Sequence, residues 1–284
     1  MVLSLGRLEK FPSSLIENLV RIGNVSCENP NNFWNAIFFG FKSYRELTFQ
    51  ERMSFIQDER GRIADLMSQK EWLMYSDGFH ANRHILYVFK ENFVNDNKKN
   101  IVLKVIPNRT VFLENLNEIE DSSKYFQELE RRYEETLVNL EKLEHKQIPI
   151  EKKKQCILLF QKYIQDLWKH SSKLAFEEFT DSIRDVNVSI PFYMIPLILK
   201  HLSFFVFIMD QDGSTILSLN SYYENIMKES TEKECVLIVG NENGFESLGV
   251  MEQNTNDSNT VLITRLFPKN HPITQICYKR IIKI

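Results

Sequence analysis

The 284-residue sequence predicts an α+β protein, with helices filling the N-terminal and central regions and strands gathered after Phe204. Up to about Trp168 the apolar residues recur every three or four positions, the period of a half-buried helix. From Phe204 onward they come in short β-branched or aromatic runs bounded by Asp, Asn and Gly, as strands and turns require. Hydrophobic residues make up 43% and charged residues 26%, which is enough apolar material for one large or two small domains.

The first helical region runs from Asn32 to about Lys90. Phe33, Ile37 and Phe41, then Phe55, Ile63, Leu66 and Met67, follow the helical period, and Asn32 suits the N-cap of the first helix. The stretch KKNIVLKVIPNRT, residues 98–110, alternates polar with β-branched residues and predicts an exposed strand or an extended connection. From Leu113 to Glu144 the chain is rich in Glu, Lys and Arg, and Phe126, Leu129, Tyr133, Leu137 and Leu140 form one apolar face of a long helix. Gln147-Ile148-Pro149 interrupts it. Pro149 fits the first turn of a second helix carrying Ile157, Phe160, Ile164, Leu167 and Trp168, so the two predict an antiparallel hairpin with core packing on its apolar faces.

Residues 191–210, PFYMIPLILKHLSFFVFIMD, are apolar, but Pro196, Lys200 and His201 interrupt the run and argue against a membrane span. A short helix near Ile195–His201 followed by a buried strand, Phe204–Met209, fits better. The turn Asp210–Gly213, the strand Cys235–Val239, the polar turn NENG and the strand Phe245–Val250 follow. Strands apolar at consecutive positions need cover on both faces, and the N-terminal helices are the available cover.

A net charge of -3 with both signs balanced gives no nucleic-acid signal. Cys27, Cys156, Cys235 and Cys277 form no CxxC pair, and no apolar leader opens the chain, so the expectation is a reduced, non-secreted protein. The three Asn-X-Ser/Thr sequons at Asn24, Asn108 and Asn187 are then chance matches. His80 and His84, four apart, could share a helix face, yet no third metal ligand stands at suitable spacing. Lys152-Lys153-Lys154 predicts a solvated face. Phosphate-cradling glycine loops and GxSxG are absent from the sequence, and no cofactor is implied.

The segments NNFWNAIFFGF, ERMSFIQDERGRIADLM, FFVFIMD, VLIVGNENGFESLGV and TRLFPKNHPITQI, in that order, resemble the OTU-like cysteine-protease family of large cytoplasmic DNA viruses. The resemblance covers roughly residues 32–90 and 175–278. It implies a papain-type core within a single domain over residues 1–284, its small sheet covered by the N-terminal helices, with a helical hairpin inserted at residues 111–170. The family needs a Cys thiolate at a helix start and a His base on a strand. When the family's Phe-Phe-His-Ala is laid on Phe33-Trp34-Asn35-Ala36, the nucleophile falls on Asn32. When its His-Tyr-Glu-Leu-Ile-Gly is laid on Gly244–Gly249, the base falls on Gly244. An amide and a hydrogen atom replace the dyad, and the two positions are expected to face each other across a shallow cleft.

What the resemblance implies is therefore a pseudoenzyme: an interaction or scaffold module in a viral assembly, located in the host cytoplasm, viral factory or virion. Its partners would be proteins, either other viral proteins or a ubiquitin-like protein. Two alternatives stand beside it, an active deubiquitinase using Cys27 and an accessory subunit of the virion or viral transcription machinery.

Overall fold

The computed structural model describes residues 7–23, 29–96, 112–144, 147–216, 233–241, 244–253 and 261–281. In chain order come strands β1 (Leu8–Lys10) and β2 (Leu19–Ile22), then helices α1 (Asn32–Phe38), α2 (Lys42–Glu46) and α3 (Phe49–Leu66). Helices α4 (Gln69–Met74), α5 (Phe79–Asp96), α6 (Ser122–Glu144), α7 (Ile150–Arg184) and α8 (Ile195–Leu199) follow. Strands β3 (Phe205–Met209), β4 (Cys235–Asn241), β5 (Gly244–Gln253), β6 (Val261–Thr264) and β7 (Leu266–Phe267) precede helix α9 (Pro272–Ile281). The α+β class is observed.

The chain divides into two compact units, Met1–Met67 with Thr180–Ile284, and Ser68–Phe179. The first holds a mixed sheet in the order β1-β2-β5-β4-β3, with β6 on β5 and β7 on β4. Among the described residues only β3 and β4 pair in parallel, Phe205 opposite Cys235 through Met209 opposite Val239; the other pairs are antiparallel. The three strands expected from the sequence thus lie side by side in one sheet. The expected turn is present too: the Gly213 N–H donates to the Asp210 carbonyl at 3.1 Å.

Strands β3 and β4 are buried at every described position up to Gly240 because the sheet is covered on both faces. Successive side chains point to opposite sides. On one side α1 lies so close that a Cβ on Gly40 would meet Val236 Cγ1 at 2.4 Å, and Phe38 and Phe41 pack on Phe204. On the other, Cys235 Sγ meets Thr274 Oγ1 at 3.1 Å, and the rings of Phe205 and Phe207 meet Tyr278 edge-on. N-terminal helices cover one face as expected; the second face is covered by the C-terminal helix α9. The α9 pattern is short, with Ile273, Thr274 and Cys277 turned inward.

The second unit is helical. Tyr133 stacks on Phe160 with ring centroids 4.1 Å apart, Phe126 meets Trp168 at 5.1 Å, and Lys153 Nζ pairs with Glu141 at 2.5 Å. In each pair one residue number rises as the other falls, so α6 and α7 run antiparallel, as the expected hairpin requires. Its core contains Tyr125, Leu129, Tyr133, Phe160, Ile164 and Leu167. Helix α6 begins later than the composition suggests, because Asp121 Oδ1 accepts from the N–H groups of Ser123 and Lys124 and so starts the helix there. Lys152 and Lys154 are solvated as expected, while Lys153 is half-buried and pairs with Glu141.

The division of the helices differs from the sequence reading. Helices α4 and α5 group with the hairpin, because the apolar face of α5 supplies Leu86, Phe89 and Phe93 to the hairpin core. The unit opens at a capping box, Ser68 accepting from the Glu71 N–H while Glu71 accepts from the Ser68 N–H. The extended segment expected at residues 98–110 lies outside the described residues.

Truncating Phe160 to Ala should cost about 3–5 kcal/mol, the range for a fully buried ring. The neighbouring Leu158→Ala should cost less than about 0.5 kcal/mol because Leu158 is 65% exposed. Urea denaturation of both variants checks the assignment of the hairpin's inner face.

Candidate functional site

The segment Asn29–Asn35 leads into and opens α1, and each of its asparagines is used differently. Asn29 builds the entry: its Oδ1 accepts from the Asn31 N–H at 2.8 Å, and its carbonyl accepts from the Asn32 N–H at 2.9 Å. Asn31, not Asn32, occupies the N-cap position, and its side chain makes no capping bond. That side chain is turned away from α1: Oδ1 accepts from Arg60 Nη1 at 2.7 Å and Nδ2 donates to the Val186 carbonyl at 3.0 Å. Asn35 donates from Nδ2 to the Asn31 carbonyl at 2.9 Å and accepts from the Tyr44 hydroxyl at 2.7 Å.

Asn32 is the first residue of α1, and it reaches the sheet. Its Oδ1 accepts from the Phe245 N–H at 2.5 Å, one residue after Gly244, where β5 begins. The two positions singled out by the resemblance, 212 residues apart in sequence, are therefore neighbours in space. Asn32 is 5% exposed while Gly244 is half-buried, and Phe245 is held edge-on by Phe33 and stacked on by Phe192. The Phe245 ring lies over Gly240, where an added Cβ would come within 2.3 Å of it.

Gly244 has φ of +143°, a conformation open to glycine and strained for residues with a Cβ. Position 244 is thus set against any side chain by its backbone. Nor does Asn32 supply reactivity, since a carboxamide accepting a backbone N–H is neither a nucleophile nor a proton acceptor at neutral pH.

Beneath α1 lies the residue that sequence reasoning passed over. Arg60 is wholly buried, and its Nε donates to the Ile183 carbonyl at 2.6 Å while Nη2 donates to the carbonyls of Ser182 and Val188 at 3.1 and 2.8 Å. The guanidinium also sits 5.9 Å from the centre of the Trp34 ring. Burial pushes it down to about 10, with nearby Asp185 opposing the shift, so it stays charged at neutral pH. A signal was present in the sequence: Arg60 stands four residues after Ile56 and three before Ile63, inside the buried stripe of α3. Burial likewise raises the Tyr44 phenol well above its ordinary range.

The two buried thiols of the first unit, Cys235 and Cys277, are poor candidates for covalent chemistry. Burial pushes Cys235 up to about 12 and raises Cys277 as well, so neither forms a thiolate near neutrality. Cys27 lies outside the described residues. His271 stands in the turn before α9, its Nδ1 accepting from the Ile273 N–H at the start of that helix. In the second unit His84 pairs with Glu178 at 3.0 Å, and His80 stacks on Tyr75. Among the described residues no three His, Cys, Asp or Glu side chains gather closely enough to hold a metal ion. A separate hollow of about 590 Å³ in the second unit has Leu73, Ile85 and Trp168 in its wall and Asp166, Lys169 and Lys173 among its polar residues.

No family model, no curated protein and no solved structure matches the chain. Among the described residues, no helix is long and apolar enough to cross a membrane.

Arg60→Met should lower stability by about 3–5 kcal/mol, because it strands one buried side-chain oxygen and three carbonyls. Gly244→Ala should cost about 1–3 kcal/mol through backbone strain alone. Guanidinium denaturation curves for both variants check the two values.

Proposed function

We propose that the chain is a catalytically inactive OTU-like protein that serves as an interaction or scaffold module within a viral assembly. The observation that supports this reading is the 2.5 Å hydrogen bond from the Phe245 N–H to Asn32 Oδ1. It brings together the two positions at which the resemblance expects a nucleophile and a base, and neither residue can perform those roles. The glycine-specific backbone at Gly244 adds a second reason, since an imidazole there would need a different strand start.

A module without chemistry works through its surface. The hairpin, which the resemblance leaves unexplained, is the proposed seat of partner contacts. Ile150 and Leu158 on α7 are 71% and 65% exposed, and such side chains are available to a protein partner.

The test uses the full chain with ubiquitin chains and with a ubiquitin carrying a thiol-reactive electrophile. Chains should stay intact, no covalent adduct should form, and Cys27→Ala should behave as the native protein does. Cleavage of the chains, or an adduct lost in Cys27→Ala, would sink the pseudoenzyme reading and favour an active cysteine deubiquitinase.

A further inference from the structure

Helix α7 carries a small residue between two large ones on the same face. Trp168, Ser172 and Phe176 stand four apart and so lie one above another along the helix. The outer two are packed: Trp168 meets Phe126 and Phe89 with ring centroids 5.1 and 5.9 Å away, and Phe176 meets Trp72 at 5.6 Å. Between them the short side chain of Ser172 leaves space in front of Leu73 on α4 and Ile85 on α5. That space is the hollow of about 590 Å³, within the range of about 300–1,000 Å³ usual for small-molecule sites.

The three helices around it are tied together. Gln69 Nε2 donates to the Ser172 carbonyl at 3.2 Å and to its hydroxyl at 3.0 Å, which fixes the start of α4 on α7. Helix α5 is tied to α7 on either side of Ile85, by His84 with Glu178 at 3.0 Å and by Asn92 Nδ2 donating to Ser171 Oγ at 3.2 Å. Closing the space would break these bonds, so the hollow is preformed and a ligand entering it meets walls already in place.

Charge at the edge selects the ligand. Asp166, Lys169 and Lys173, spaced i, i+3 and i+7 on α7, line the hollow and are exposed, and two lysines against one aspartate leave a net positive charge there. Among the described residues Lys169 makes no ion pair. Lys173 reaches Glu177 at 3.6 Å, a pair too exposed to hold the ammonium tightly. Leu73, Ile85 and Trp168 offer an apolar wall to the body of a ligand, while the lysines favour an anionic head and disfavour a cationic one. We propose that the hollow binds a small amphipathic monocarboxylate, its chain against Leu73, Ile85 and Trp168 and its head on Lys169 and Lys173. The site lies within the second unit and asks nothing of Asn32 or Gly244.

An NMR titration of the full chain, following backbone amides and the Trp168 indole N–H, tests the site with four probes at matched ionic strength: octanoate, octanol, octylammonium and acetate. Octanoate should give saturable shifts confined to residues around the hollow. Octanol should bind about tenfold more weakly, octylammonium more weakly still, and acetate should give no saturable shift. K169Q/K173Q, which alters two exposed side chains and should melt with the native protein, should weaken octanoate about tenfold and leave octanol unchanged. S172L fills the hollow and should lose both octanoate and octanol. Absence of saturable octanoate shifts, shifts that map elsewhere, octanol bound as tightly as octanoate, or octanoate bound equally well by K169Q/K173Q would each overturn the proposal. So would a folded S172L that binds as the native protein does; should S172L fail to fold, the lysine variant and the probe series decide the matter.

Discussion

The guanidinium of Arg60 has no exposure to water, and a charge in that situation is tolerated only while every donor is aimed at an acceptor. Its acceptors come from three places: the amide of Asn31 ahead of α1, the carbonyls of Ser182 and Ile183 in the last turn of α7, and the carbonyl of Val188 beyond it. Carbonyls at a helix end are the backbone groups left without internal partners, and a cation there is doubly favoured. One side chain thus sets where α3 lies against two helix ends. Because Asn31 is held, α1 starts at a defined point, and the next residue, Asn32, is presented to the Phe245 amide near the start of β5.

From that start the packing of the first unit follows. Helix α1 presses its aromatic face on the sheet closely enough that Gly40 must stay small, while α9 closes the other face with Thr274, Cys277 and Tyr278. The cross-strand pair of Arg21 and Glu246 also becomes intelligible. Glu246 is 3% exposed on β5 and is reached by Arg21 from β2 at 2.5 Å, so the hydrogen-bonded guanidinium offsets its desolvation.

Those parts of the fold that depend on local pattern were legible in the sequence. The strands around Val206 and Leu237 announce themselves by consecutive β-branched and apolar residues, that around Leu248 by its place after the polar NENG stretch, and the hairpin by the spacing of Leu129, Tyr133, Phe160 and Ile164. The site was legible only in part. Positions 32 and 244 could be paired through the resemblance, but the use of each asparagine could not be read, because the partners lie 29, 155 and 213 residues away. Hydrogen bonds of that span leave no periodic trace. Asn32 looked like a cap because its neighbours begin a helix, and the long-range bond to Phe245 outweighed the local preference. The grouping of α4 and α5 with the hairpin escaped notice for a similar reason: an amphipathic stripe tells that a helix is covered, not by what.

The backbone at Gly244 has a consequence for inheritance. With φ at +143°, the first residue of β5 tolerates glycine and resists every coded replacement, since each would add a Cβ to a conformation that disfavours one. A missense change at that codon therefore carries a conformational handicap before its chemistry is considered. Installing a functional side chain there would take a second, compensating change that relaxes this backbone conformation. Substitution by substitution, the route from this chain to one with an imidazole at 244 crosses a less stable intermediate, and selection on folding would tend to keep the position as it is.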